Sequence, residues 1–201
     1  MHTIYKRNLS SKNIEVQEKL TKGSWIHFSN PSKEDYEYFQ SLTEVDEDFM
    51  EGILDEHEHP RLERFDKNTA VLIQIPFRSG GIKTVPFAIV LTDNYLITLC
   101  SASVSLNNFM KDEDLYTTRR NEFLFILLSH VESEYTRFLR AIAKNVKKKK
   151  IVLGSLNNTV IIYLVEIEDE LNYLLSSMIP NTSLFESLRR GNTIKVYEED
   201  K

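Results

Sequence analysis

AVLIQIPFRSGGIKTVPFAIVLTDNYLITLC, residues 70–100, holds three near-continuous apolar runs, Ala70 to Ile75, Val85 to Leu91 and Tyr95 to Cys100. A strand with one wet face alternates apolar and polar residues, so runs apolar at almost every position belong to strands covered on both faces. Thr92-Asp93-Asn94 reads as a tight hairpin turn, because Asp and Asn tolerate positive φ best among the non-glycine residues. Ser79-Gly80-Gly81 joins the first two runs as a hairpin loop. No Lys-Ser/Thr follows Gly81 directly and the loop opens no helix, which removes it as a phosphate cradle. A short strand, Leu62 to Phe65, precedes the three. The expectation is an α/β fold in three layers, with helices on both faces of a mixed sheet.

On the N-terminal side, three small strands are expected at Thr3 to Lys6, Ile14 to Gln17 and Trp25 to Phe28, the last after a Lys22-Gly23 turn. Asn30-Pro31-Ser32 stops the third, and Ser32 with Asp35 makes a helix start for Lys33 to Leu42. Asp46 can cap a second helix whose apolar stripe is Phe49, Met50, Ile53 and Leu54. His59-Pro60 ends that unit. On the C-terminal side the period turns helical: Leu124, Leu128, Val131, Tyr135, Phe138, Ile142 and Val146 form one amphipathic stripe. After a basic break, Lys147 to Lys150, and Gly154, a second runs through Val160, Leu164, Ile167, Leu171, Leu174 and Met178 until Pro180-Asn181 closes it. Leu184 to Arg189 adds a turn or two. The two long helices should pack as an antiparallel hairpin. The chain therefore divides into an α/β section, 1–118, and a helical hairpin, 119–190, packed on the same globule.

The composition supports one substantial domain: 201 residues, 41% of them hydrophobic, can bury a core. A net charge of −5 leaves no global cationic surface for nucleic acid. Cys100 is the single cysteine, which excludes an internal disulfide and a four-cysteine zinc site and fits a reducing, cytoplasmic setting. The N-terminus has no secretory apolar stretch. The longest apolar tract, Ile151 to Val165, is interrupted by Gly154, Ser155, Asn157, Asn158 and Thr159 and falls short of the ~20 residues that span a bilayer.

Few residues suggest chemistry. Asp55-Glu56-His57-Glu58-His59 is the densest ligand cluster, but its spacing matches neither a structural zinc site nor a helical His-Glu-x-x-His pair, so it reads as a solvated turn at a helix end. A metal-dependent hydrolase built on His57 and His59 is one alternative. Cys100 ends an apolar strand as a small buried hydrophobe, not as a nucleophile. Nucleophile elbows and kinase motifs are absent, and the chain is read as non-enzymatic. Lys144 and Lys147 to Lys150 form a basic tip. Glu44, Asp46, Glu47, Asp48 and Glu51 suit either helix N-termini or a hard cation.

Gly23-Ser24-Trp25-Ile26-His27-Phe28, the following helix pair, Leu54 and His57, Pro60-Arg61-Leu62-Glu63, Phe65 and Tyr95-Leu96-Ile97-Thr98 together resemble the cytoplasmic N-terminal domain of CorA-type magnesium transporters. The resemblance runs from about Trp25 to Arg190. It implies a homopentameric membrane transporter whose cytosolic domains sense Mg²⁺, with Co²⁺, Ni²⁺ or Zn²⁺ as other ions of the family. The Gly-Met-Asn motif and paired membrane helices of the family are not in this sequence, so 191–201 is read as the start of a connection to a missing stalk and transmembrane region. The resemblance places Glu51 at the first position of an acidic pair that binds regulatory cations between subunits. Gly52 stands where the second, an aspartate, is characteristic, and Ser129 lies near another position that can be acidic. Asp48 and Asp55, one turn either side of Glu51, are the substitutes that helix spacing offers. A soluble interaction module with the same fold is the other alternative.

Overall fold

The computed structural model describes residues 1–104, 106, 108–152 and 158–190, and the side chains of all of these except 149–152. The elements run β1 (His2–Lys6), β2 (Glu15–Gln17), β3 (Trp25–Ser29), α1 (Lys33–Thr43), α2 (Glu47–Leu54), β4 (Arg61–Phe65), β5 (Asn68–Arg78), β6 (Ile82–Leu91), β7 (Leu96–Cys100), a 3-10 turn (Phe109–Lys111), α3 (Arg120–Val152) and α4 (Asn158–Arg189). All seven strands form one sheet in the order β2-β1-β3-β7-β6-β5-β4, antiparallel except where β3 runs alongside β7. The expected break at Gly154 and the polar end Tyr197 to Lys201 lie outside the described residues.

The two-faced burial of the central strands sets the layers. Val71, Ile73, Phe87, Ile89 and Leu96 face one core, into which α3 and α4 insert Phe123, Leu124, Leu127, Leu174 and Leu184. Leu72, Ala88, Val90, Ile97 and Leu99 face the other, filled by Phe39 of α1 and by Phe49 and Ile53 of α2. The fold is thus α+β, a mixed and mostly antiparallel sheet between two helical layers. Short helices gain little from propensity alone, and local caps start these two. Ser32 Oγ accepts from Asp35 N while Asp35 Oδ2 accepts from Ser32 N, and Asp46 Oδ1 accepts from Phe49 N. Asp35 also receives His2 Nδ1 and the terminal amine, tying β1 to α1; these contacts outweigh its burial and hold its carboxyl well below the usual range.

Both strand prolines sit where no ladder bond is lost. Pro76 pairs opposite Thr84 beyond the last β4 contact at Leu72, and Pro86 opposite Gln74 beyond the last β7 contact at Phe87. Gly23 adopts φ +80° between β2 and β3, and a Cβ there would lie 2.9 Å from Thr118 Cγ2, so glycine meets both a backbone and a space requirement.

Three expectations are corrected. Asp93 and Asn94 do not take positive φ; Thr92 Oγ1 closes the turn instead, accepting from Tyr95 N at 2.9 Å and Asn94 N at 3.3 Å. The lysine run does not break α3, which continues to Val152, consistent with the good helix propensity of lysine. Pro180 does not close α4, which runs through to Arg189. Proline deletes one backbone donor, but Asn181 next to it and Leu184 and Leu188 beyond it are buried, so packing outweighs the local cost.

Asn181 explains that burial. Its Nδ2 donates to Gln74 O at 2.7 Å and its Oδ1 accepts from Gln74 N at 3.2 Å, replacing the strand that β4 fails to supply past Leu72. Tyr135 Oη donates to the same carbonyl at 2.9 Å and also meets Ser177 Oγ. Asn181→Leu should leave the buried Gln74 N–H unpaired, the carbonyl keeping the Tyr135 hydroxyl, and cost about 1–3 kcal/mol in a denaturant titration, whereas the exposed Thr182→Ala should change little.

A second buried polar set lies on β3. Trp25 Nε1 donates to Thr98 Oγ1 at 2.8 Å, and His27 Nδ1 meets the same oxygen at 2.8 Å. Burial lowers the His27 pKa from 6.5 to about 4, with a hydrogen bond to Thr98 opposing the shift. The unfolded chain takes up this proton first as pH falls, so stability should decline between about pH 6.5 and pH 4 by about 3 kcal/mol. His27→Gln should flatten that part of a stability against pH curve. Asp35 acts in a lower window, since its contribution is lost only as pH falls below its ordinary 3.8.

Candidate functional site

The outward face of α2 carries the acidic residues singled out from the sequence. Phe49, Gly52 and Ile53 are buried, which forces Asp48, Glu51 and Asp55, spaced 3 and 4 apart, onto the exposed side in one row. Asp55 forms the helix end, where its Oδ1 accepts from His57 N at 2.9 Å. His57 and His59 are exposed, and His59 N donates to Glu58 Oε1 at 2.8 Å. Among the described residues no three His, Cys, Asp or Glu side chains converge to hold a metal ion.

Carboxylates are hard oxygen donors of the kind Mg²⁺ takes, and Mg²⁺ retains several of its waters. The row on α2 has the donors for an ion shared with another molecule, though not a cage of its own. Ser129 is exposed on α3. Since α3 covers the opposite face of the sheet from α2, Ser129 and Glu51 of one chain are separated by the sheet.

Gly52 is explained by its neighbour. A Cβ at this position would lie 2.8 Å from Arg61 Nη2, 3.1 Å from Arg61 Nη1 and 3.0 Å from Glu58 Oε2. The absent side chain leaves room for the guanidinium of Arg61, at the start of β4, to lie against the helix. Arg61 pairs with Glu58 at 2.8 Å and, through Nε, with Glu63, while Nη2 donates to the Asp48 carbonyl at 3.5 Å. Its carbon Cζ lies 5.6 Å from the centre of the Phe49 ring, within cation–π range. Burial works against its charge, but Glu63 and Glu58 outweigh that and hold the guanidinium above its ordinary value. In the sequence Arg61 and Glu63 are legible as parts of a motif, but the contact of Arg61 with α2 is not. The available signal was a glycine on the apolar side of a short helix followed by an arginine flanked by acids.

Other candidates have structural roles. Cys100 is fully buried, and burial pushes its thiol up to about 12, which removes the thiolate a nucleophile needs. The Ser79-Gly80-Gly81 loop is a β5–β6 hairpin in which Ser79 N donates to Gly81 O, and Glu170 of α4 accepts from Ile82 N at 3.0 Å. No described helix is long and apolar enough to cross a membrane. Replacing Arg61 by Met should cost about 1–2 kcal/mol by thermal or denaturant melts, with the loss shrinking in high salt because the pairs are only partly buried.

The family model described as CorA-like Mg²⁺ transporter protein matches residues 21–201. The soluble domain of CorA from Methanocaldococcus jannaschii superposes with a TM-score of 0.83 at 18% identity, covering 100% of this chain and 83% of that one. The complete CorA magnesium transporter from the same organism gives 0.80 at 16% identity, covering 100% of this chain and 66% of that one. The chain therefore spans just under two thirds of that transporter's length. The cytoplasmic domain of ZntB from Vibrio parahaemolyticus gives 0.64 at 10% identity, covering 94% of this chain and 78% of that one. No curated protein sequence matches.

Proposed function

The chain belongs to the CorA-like Mg²⁺ transporter family, and from that premise we propose that it is the cytoplasmic ion-sensing region of a divalent-cation transporter in the cell membrane. The observation that carries the proposal is the family match through residue 201 together with the fold of a CorA soluble domain over the whole chain. In this reading the segment after α4 begins the connection to a stalk and membrane helices, and the complete protein is a homopentamer.

The sensing element is the exposed row Asp48, Glu51 and Asp55. Held outward by the burial of Phe49 and Ile53, these carboxylates meet the surface of a neighbouring subunit and repel any acidic group there. Mg²⁺ bound between the two surfaces supplies the charge that turns this repulsion into attraction. Glu51 stands at the centre of the row, and Asp48 and Asp55 supply the oxygen that Gly52 lacks. Because the ion favours the associated arrangement over the separated one, its loss shifts the population towards a looser and conducting state. Co²⁺, Ni²⁺ and Zn²⁺ are the other candidate ions for the same path.

Light scattering after size exclusion, combined with thermal melts over a millimolar Mg²⁺ series, tests this. Association and melting temperature should both rise with Mg²⁺. Asp48→Ala with Glu51→Ala should raise the Mg²⁺ midpoint roughly tenfold or more while leaving the metal-free melt unchanged or slightly higher, since like charges are removed. Identical behaviour with and without Mg²⁺ would instead favour a soluble interaction module that shares the fold.

A further inference from the structure

The far end of the α3–α4 hairpin carries chemistry that ion sensing does not use. Residues 135–165 contain seven Lys and Arg and no Asp or Glu, in a chain whose net charge is −5. Four of the cations, Arg140, Lys144, Lys147 and Lys148, share one side of α3 and border an open groove of about 430 Å³. All four are exposed, and among the described residues none pairs with a carboxylate. Lone apolar residues on a surface need no explanation. At the start of α4, however, the helix that follows this cationic end of α3 in the chain, Ile161, Ile162, Leu164 and Val165 are each about half exposed or more, four of five successive positions.

We propose that this end of the hairpin docks on an anionic membrane surface, the lysines and arginine meeting acidic phospholipid headgroups and the aliphatic residues of α4 entering the boundary with the acyl chains. Each half of the pattern selects the partner. A phosphate backbone would satisfy the cations but leave the aliphatic side chains in water, and the segment offers bases no exposed aromatic platform. A second copy of the same surface would set cation against cation. A bilayer with acidic lipids satisfies both groups, and a transporter family places one within reach of its soluble regions. The proposal concerns a different surface from the α2 row and does not depend on Mg²⁺ being sensed there.

Co-sedimentation of the 201-residue chain with vesicles tests it, comparing phosphatidylcholine alone with phosphatidylcholine containing one third phosphatidylglycerol. The chain should bind the anionic vesicles, lose binding in high salt and ignore the neutral ones. Lys144→Glu, Lys147→Glu and Lys148→Glu together should weaken binding by roughly 100-fold or more, while the triple Lys→Arg variant retains it. Ile161→Ser with Ile162→Ser, both at exposed positions, should weaken it by about tenfold without moving the melting temperature. Absence of binding, equal binding to neutral vesicles, an unaffected Lys→Glu variant, or full displacement by an equal charge of duplex DNA would each overturn the proposal.

Discussion

A sheet that is apolar on both faces has to be covered twice, and that requirement orders this molecule. The runs in β5, β6 and β7 place a large side chain at nearly every position, so one layer of helix would leave half of them in water. At about 25 cal/mol per Å² of buried apolar surface, neither face can be left open. The sequence supplies the two covers in different forms. Two short capped helices close one side and a long helical hairpin closes the other. The parallel pairing of β3 with β7 fits the same logic, because the chain between them must pass over a face before it can return.

Burial on both sides also raises the cost of any polar group inside, and the buried polar groups are used to fix position. Asn181 acts as a short piece of strand, satisfying Gln74 where β4 has ended, and so fixes the axial position of α4 on the sheet. Arg7 does the equivalent work at the other edge. Its guanidinium donates to the carbonyls of Asp112, Leu115 and Glu113 and lies 4.8 Å from the Tyr116 ring centre, holding the connection before α3 against the end of β1. Apolar contacts tolerate sliding, whereas these bonds are made in one register only.

The layer order was legible because hydrophobic period reports directly on burial, and the continuous runs of 70–100 and the stepping of Leu124 to Val146 each have one reading. Helix ends were less legible. Pro180 and Lys147 to Lys150 are local signals, and in both places the outcome depended on what the helix packs against beyond them, which no local window contains. The turn at Thr92 shows the same limit on a smaller scale, since a threonine hydroxyl takes the place of the positive φ that Asp93 and Asn94 tolerate. At the candidate site, the exposure of Asp48, Glu51 and Asp55 followed from the spacing of Phe49 and Ile53. The position of Arg61 did not follow, because its contact with Gly52 joins a helix to a strand across a turn.

That contact separates two kinds of charge on one small surface. Arg61 is covalently part of the chain and pairs with Glu58 and Glu63 whether or not Mg²⁺ is present, so those acids serve the packing of β4 on α2. Among the described residues Asp48, Glu51 and Asp55 form no ion pair with a resident cation, and they face outward. A surface whose carboxylates were all held by arginine would be indifferent to Mg²⁺, and one with none held would pack β4 on α2 less firmly when the ion left. In the ion-sensing role proposed above, fixing the inner acids with a tethered cation leaves the outer row free to answer an exchangeable one. Gly52 is where the two sets meet, since a side chain there would have to displace the guanidinium that keeps them apart.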